Sequence, residues 1–216
     1  MKTHKVLTVV SGKRNPAQRI VTLDNGDVFR ISEDVFIKYR LYPGETLSDK
    51  TLTQLKKDLY ETALQDAAYR LLSYRMRSTA ELKNRLLKKG FPLENIDRLI
   101  EKLKHKNYLN DAEFAWTFAV EKVKSKRIGP RALRSELLPH QLPDELLNRT
   151  IEKVFHQYSV QELIRKNLVK KKIQKGKVLP VSESKRLVQF LQRKGFTWDL
   201  IQPVLLEWGI LDNGNP

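Results

Sequence analysis

Two hydrophobic periods divide the chain. Over roughly the first 45 residues the apolar positions fall in short β-rich runs: Val6-Leu7-Thr8-Val9-Val10, Ile20-Val21-Thr22-Leu23 and Val28-Phe29-Arg30-Ile31. Asn25-Gly26 lies between the last two. Both residue types tolerate positive φ, so the pair predicts a type I′ hairpin in a small sheet of about three strands. Ser32-Glu33-Asp34 opens a short predicted helix through Val35, Phe36 and Tyr39, and Pro43-Gly44 closes the segment with a turn.

From Ser48 onward the period is helical, beginning with a long helix over about Asp49 to Met76, and the pattern repeats. A shift of 51 residues carries Leu82, Leu86, Leu87, Phe91, Pro92, Ile96, Ile100 and Leu103 onto Leu133, Leu137, Leu138, Leu142, Pro143, Leu147, Ile151 and Val154. A shift of 105 carries Leu82, Leu86, Gly90, Phe91, Ile96, Ile100 and Leu103 onto Leu187, Leu191, Gly195, Phe196, Ile201, Leu205 and Trp208. Ser78-Thr79-Ala80-Glu81 and Asn110-Asp111-Ala112-Glu113 are helix-start signals, Gly129-Pro130 puts Pro in a first turn, and Gly90 and Gly195 suit the left-handed position that ends a helix. The expected fold is therefore mainly α: three tandem three-helix repeats stacked into an elongated curved array, with a small N-terminal β-hairpin or sheet extension. The expected domains are 1–47 for the extension, 48–109 for the long helix and first repeat, 110–157 for the second repeat and 158–216 for the third.

Charge changes the picture next. Forty-one Lys and Arg against 25 Asp and Glu leave a net charge of +16 on 216 residues. A surplus of that size points to a polyanion, because clustered cations displace the counterions condensed on phosphates. Self-repulsion at that charge also favours a monomer. The absence of Cys excludes disulfides, thiolate nucleophiles and Cys-held metals, and His4, His105, His140 and His156 stand at no metal-ligand spacing. No apolar run near the N-terminus has the length of a secretory or membrane segment, so a cytoplasmic location is expected.

The segment Leu72-Ser73-Tyr74-Arg75-Met76-Arg77-Ser78-Thr79-Ala80-Glu81-Leu82, with Lys89-Gly90-Phe91 behind it, resembles the RecX family of recombination regulators. So do Tyr108-Leu109-Asn110-Asp111-Ala112-Glu113-Phe114-Ala115, Gly129-Pro130-Arg131 and Leu133-Arg134-Ser135-Glu136-Leu137, in the same order and spacing. The chain departs from the family pattern at Pro139-His140-Gln141, where a basic residue and Gly are usual, and at Val120-Glu121-Lys122, where an Arg is usual. The resemblance implies a protein that binds the filament of RecA recombinase on single-stranded DNA and restrains filament extension, ATP hydrolysis and strand exchange. It implies no enzymatic activity and no cofactor.

The residues for such binding fall in three groups. Arg165, Lys166, Lys170, Lys171, Lys172, Lys175 and Lys177 form the densest basic run, without an acid among them. On a helix Arg165, Lys166 and Lys170 share a face, with Leu163, Leu168 and Val169 turned to the core. Arg70, Arg75, Arg77, Lys83, Arg85, Lys88 and Lys89 surround the first repeat's helix junction. Lys122, Lys124, Lys126, Arg127, Arg131 and Arg134 edge the middle repeat around Gly129, in the loop expected to be most mobile. The Arg165–Lys177 run has a plainer reading as a solvated face, and Arg77 one as a structural partner of Glu81 or a neighbouring carboxylate. Tyr108, Phe114, Trp116, Phe118, Trp198 and Trp208 are spaced for core packing rather than base stacking.

Two other functions stay open. A stand-alone, sequence-non-specific binder of single-stranded or also double-stranded nucleic acid needs only the charge. A metal-dependent nuclease needs carboxylates converging from several repeats. Gly12-Lys13 lacks the upstream Gly of a phosphate-binding loop, and Asp24 and Asp27 only flank the hairpin turn.

Overall fold

The structure, a computed structural model, describes residues 2–12 and 17–211. The chain divides into two compact units, residues 1–70 and 71–216, with the boundary inside the long helix.

In the first unit the alternating runs become strands β1 (Thr3–Ser11), β2 (Gln18–Leu23) and β3 (Val28–Ser32). Helix α1 (Glu33–Lys38) follows, with Ser32 as its N-cap, and then a strand absent from the sequence expectation, β4 (Thr46–Ser48). The sheet is antiparallel throughout, in the order β3-β2-β1-β4. Val6 pairs with Leu23 and His4 with Leu47, which turns Val6, Val21, Leu23, Ile31 and Leu47 to one buried face. Phe36, Leu41, Leu52 and Leu55 complete that core, the last two from helix α2 (Asp49–Tyr74).

The β2–β3 turn is not type I′. Gly26 alone among its residues has positive φ (+87°), the Gly26 amide donates to the Leu23 carbonyl, and the Asn25 side chain accepts from the Asp27 amide. This is a type I turn followed by a left-handed Gly, the three-residue hairpin loop. The Asn side chain stabilises the turn that leaves its own φ negative.

The second unit is built of three-helix repeats. The first contains α3 (Thr79–Leu87) and α4 (Leu93–His105) behind the end of α2. The second is α5 (Asp111–Lys126), α6 (Pro130–Leu137), a 3-10 turn (Leu138–His140) and α7 (Asp144–Gln157). The third is α8 (Val160–Lys170), α9 (Val181–Arg193) and α10 (Trp198–Glu207). Caps fix the starts: Ser78 accepts from the Glu81 amide, Asn110 from those of Ala112 and Glu113, and Ser159 from that of Glu162. The aligned leucines are buried as expected, except Leu87 and Leu138, which are exposed where α3 and α6 end.

The aligned Gly positions explain how the repeats join. Gly90 and Gly195 are left-handed at φ +86° and +87°, and Gln141 takes the same conformation at +50° where the middle repeat lacks Gly. The carbonyls just before Gln141 and Gly195 receive the neighbouring repeat. Ser78 Oγ donates to His140 O at 3.0 Å, and the Gly129 amide donates to Lys194 O at 2.8 Å. Positions 78 and 129 correspond in repeat register, as do 140 and 194, so the two joints have one design. At the second the Arg131 amide also donates to Gly195 O, so two backbone hydrogen bonds hold it. The loop expected to be mobile is therefore clamped by backbone hydrogen bonds.

Candidate nucleic-acid interface

The first-repeat cations are organised by one carboxylate. Arg75 and Arg85 reach Glu81 Oε1 at 2.5 and 3.0 Å, and Arg77 bonds the same oxygen. Arg77 is 6% exposed and also donates to the Leu71 carbonyl. It is thus the structural partner of Glu81, the second of its two sequence readings, and lies beneath the surface. Burial pushes the Glu81 carboxyl upward, yet the hydrogen bonds from Arg75 and Arg85 and the nearby charges of Arg75 and Arg77 outweigh it and hold the group below its ordinary value. Arg75 and Arg85 keep much of their surface in solvent. Lys83 pairs with Asp97 at 2.6 Å, Lys88 and Lys89 are exposed, and Arg70 belongs to the end of the first unit.

In the middle repeat Lys126 and Lys122 share Glu136 at 2.5 and 3.4 Å. Arg134 donates to the Asn148 side chain, the Lys124 ammonium lies 5.6 Å from the Tyr158 ring centre, and Arg131 is exposed. Arg127 caps α5 in the left-handed conformation, and its carbonyl accepts from the buried Asn167 side chain.

The third-repeat run is only half helical. Helix α8 stops at Lys170, Lys171 caps it, and Lys172 turns left-handed at φ +58°. Lys175 and Lys177 therefore lie on a loop that Gly176 ties to the Trp208 carbonyl. Val169, expected inward, is 63% exposed, while Leu163 and Leu168 are buried. Ile173 folds back instead: its amide bonds the Leu168 carbonyl and its side chain packs on the core. Arg165 is held by Glu162 and Glu207, whereas Lys166 and Lys170 are exposed. Lys171 lies over the Phe190 ring.

The fold brings together what sequence separated. Lys126 and Arg127 from the second repeat meet Lys170 and Lys194 from the third at the Gly129–Gly195 joint. Lys194 Nζ donates to the Lys126 carbonyl at 2.8 Å, and burial, then Lys170, Arg127 and Lys126, push its ammonium below the ordinary lysine value. Like charges gathered in this way raise the local positive potential. Lys194 was missed by sequence reasoning. The signal was present, since the shift of 105 that aligns Gly90 with Gly195 also places Lys194 on Lys89.

The aromatic side chains are not uniformly core. Phe114 is buried, and Phe118 and Trp208 pack against the same core, but Tyr108 is 59% exposed and Trp198 is exposed as well. Among the described residues no three His, Asp or Glu side chains come together to hold a metal ion, and no helix is long and apolar enough to cross a membrane.

Comparison with known proteins agrees with this architecture. Family models for the first and third three-helix domains of RecX match residues 66–103 and 160–205. The chain is 31% identical over 208 residues to regulatory protein RecX of Bacillus licheniformis and 30% identical over 204 residues to that of Bacillus pumilus. Each match spans 93% of this chain and 76% of the relative. A crystal structure of regulatory protein RecX shares the fold at TM-score 0.65 and 20% identity, covering 94% of this chain and all of that one. RecX from Lactobacillus salivarius does so at TM-score 0.56 and 20% identity, over 69% of this chain and 96% of its own. With such relatives matched over most of their length and its own repeats in the same order, the chain belongs to the RecX family of regulatory proteins.

Proposed function

We propose that this protein regulates RecA recombinase by binding the RecA–single-stranded DNA filament and restraining its extension, ATP hydrolysis and strand exchange. The supporting observation is the convergence of Lys126, Arg127, Lys170 and Lys194 at a backbone-clamped joint, in a chain of the RecX family. Phosphates neutralise that cluster. Exposed Arg85, Lys88 and Lys89, and Arg131, Lys166, Lys171, Lys172, Lys175 and Lys177, extend the positive field along the repeats. Many modest contacts then add, so no single lysine is decisive.

The test is RecA ATP hydrolysis on circular single-stranded DNA, titrated with the protein where free DNA remains largely unbound. Inhibition in that range supports the reading. Replacing Lys170, Lys171 and Lys172 together by Glu should weaken inhibition strongly, with single Lys→Ala changes nearly silent. For the first repeat the informative set is Arg85, Lys88 and Lys89, because replacing Arg77 dismantles the buried Glu81 pair. Inhibition that follows DNA occupancy point for point across the variants makes the protein a stand-alone DNA binder instead.

A further inference from the structure

The middle repeat carries an open groove away from the basic joint. Between α5 and α7 lies a cavity of about 500 Å³, walled by Trp116 on one side and by Arg149, Lys153 and His156 on the other. The last three stand at i, i+4 and i+7, so one exposed face of α7 lines the groove with nitrogen donors. Trp116 rests on the core with part of its ring uncovered, and the Lys153 ammonium sits 4.6 Å from the ring centre. The groove floor is already satisfied: the buried Thr150 hydroxyl donates to the Leu146 carbonyl. One acid, Glu152, also borders the groove.

We infer that this groove binds one nucleotide of an unpaired DNA strand, its base against Trp116 and its phosphate on Arg149 and Lys153. An aromatic face beside mobile cations is the chemistry that recognises single strands, since every base offers a π-face and a duplex keeps those faces stacked on one another. Lys153 supplies the exchange. Its flexible ammonium leaves the indole for the phosphate as the base arrives, and stacking replaces an exposed cation–π contact that is the weaker of the two. The cavity volume lies within the range of small-molecule sites. An acidic peptide would engage the cations but gain nothing from the indole. The inference shares with the proposed function only its DNA component; it requires no recombinase and none of the joint cations.

Titration with an oligothymidylate, read by tryptophan fluorescence, tests it, with circular dichroism and melting showing that each variant is folded. The unmodified protein should be quenched by the single strand and not by a matched duplex. Trp116→Phe should remove most of that quench, with Trp198 and Trp208 left as internal reporters. The double variant Arg149→Ala/Lys153→Ala, altered only at exposed side chains, should bind several-fold more weakly and lower the log–log salt slope by about 0.7, the change for one lost phosphate contact. An unchanged quench in Trp116→Phe overturns the inference, as does unchanged affinity and slope in the double variant. Equal quenching by duplex, or by polyglutamate, overturns it too. The proposed function fails separately, because RecA ATP hydrolysis does not enter this assay.

Discussion

Placing a methyl group on three glycines separates backbone strain from crowding at the repeat joint. Gly90 has φ +86° and open space where a Cβ would stand, so Gly90→Ala meets strain alone, about 1–2 kcal/mol for an L-residue held left-handed. Gly129 has ordinary φ, but its Cβ would lie 2.6 Å from both the Gly195 carbonyl oxygen and Phe196 Cδ1. Gly129→Ala therefore meets crowding alone, about 1–3 kcal/mol. Gly195→Ala meets both. At φ +87° its Cβ would lie 2.2 Å from the Ala132 amide nitrogen, a backbone atom that no rotamer change can move aside. The expected loss is about 2–5 kcal/mol, roughly 2 kcal/mol beyond Gly90→Ala. At about 2–4 °C per kcal/mol for a chain of this size, Gly195→Ala should melt about 4–8 °C below Gly90→Ala. Tryptophan fluorescence is a suitable probe, because Trp116, Trp198 and Trp208 all belong to residues 71–216. Equal melting temperatures for the Gly90 and Gly195 variants would refute the clamped joint.

Three further outcomes follow from the charged groups. Glu81→Gln leaves the buried Arg77 guanidinium uncompensated and should destabilise by about 3 kcal/mol in urea unfolding. Because the folded Glu81 value lies below the ordinary 4.5, its stabilisation is full above that pH and is lost as pH falls through the lower folded value; Glu81→Gln should flatten that acid limb. In the first unit, hydrogen bonds from Lys38, Tyr39 and Gln54 bring Asp58 down from 3.8 to about 2, so carboxyl NMR should show it still ionised at pH 3, with its contribution lost only toward pH 2. The Lys194 ammonium should titrate below 10.5 in the free protein, and an oligonucleotide should raise that value, since a phosphate favours the charged form. No upward change would place the strand elsewhere.

The repeats were legible because each depends on a pattern the sequence carries in full. Leucines at shifts of 51 and 105 mark the faces that must be buried, and Ser78, Asn110 and Pro130 mark helix starts. The fourth strand was not legible, since Thr46–Ser48 is too short to show alternation and only Leu47 turns inward. Nor was the turn type, which hung on the Asn25 side chain accepting from the backbone amide of Asp27.

Charge was the least legible, for a physical reason. A run of cations shows where positive side chains lie along the chain, but their availability depends on carboxylates that the fold brings from elsewhere. Glu81 engages Arg75, Arg77 and Arg85 together, and Glu207 reaches Arg165 from 42 residues away. The densest basic run thus surrenders Arg165 to acids, while Lys194, outside all three basic groups, becomes the centre of the joint cluster. Repeat register supplies what local density lacks. Ser78 meets the carbonyl at 140 and Gly129 the carbonyl at 194, so in the second and third repeats the residue just before the left-handed position is carried to a joint between repeats. In the first of these joints that position is His140, which is packed edge-on against Phe114 and Phe118 and whose burial lowers its affinity for a proton. In the second it is Lys194. The same backbone design therefore puts an imidazole that resists protonation at one joint and an ammonium at the other.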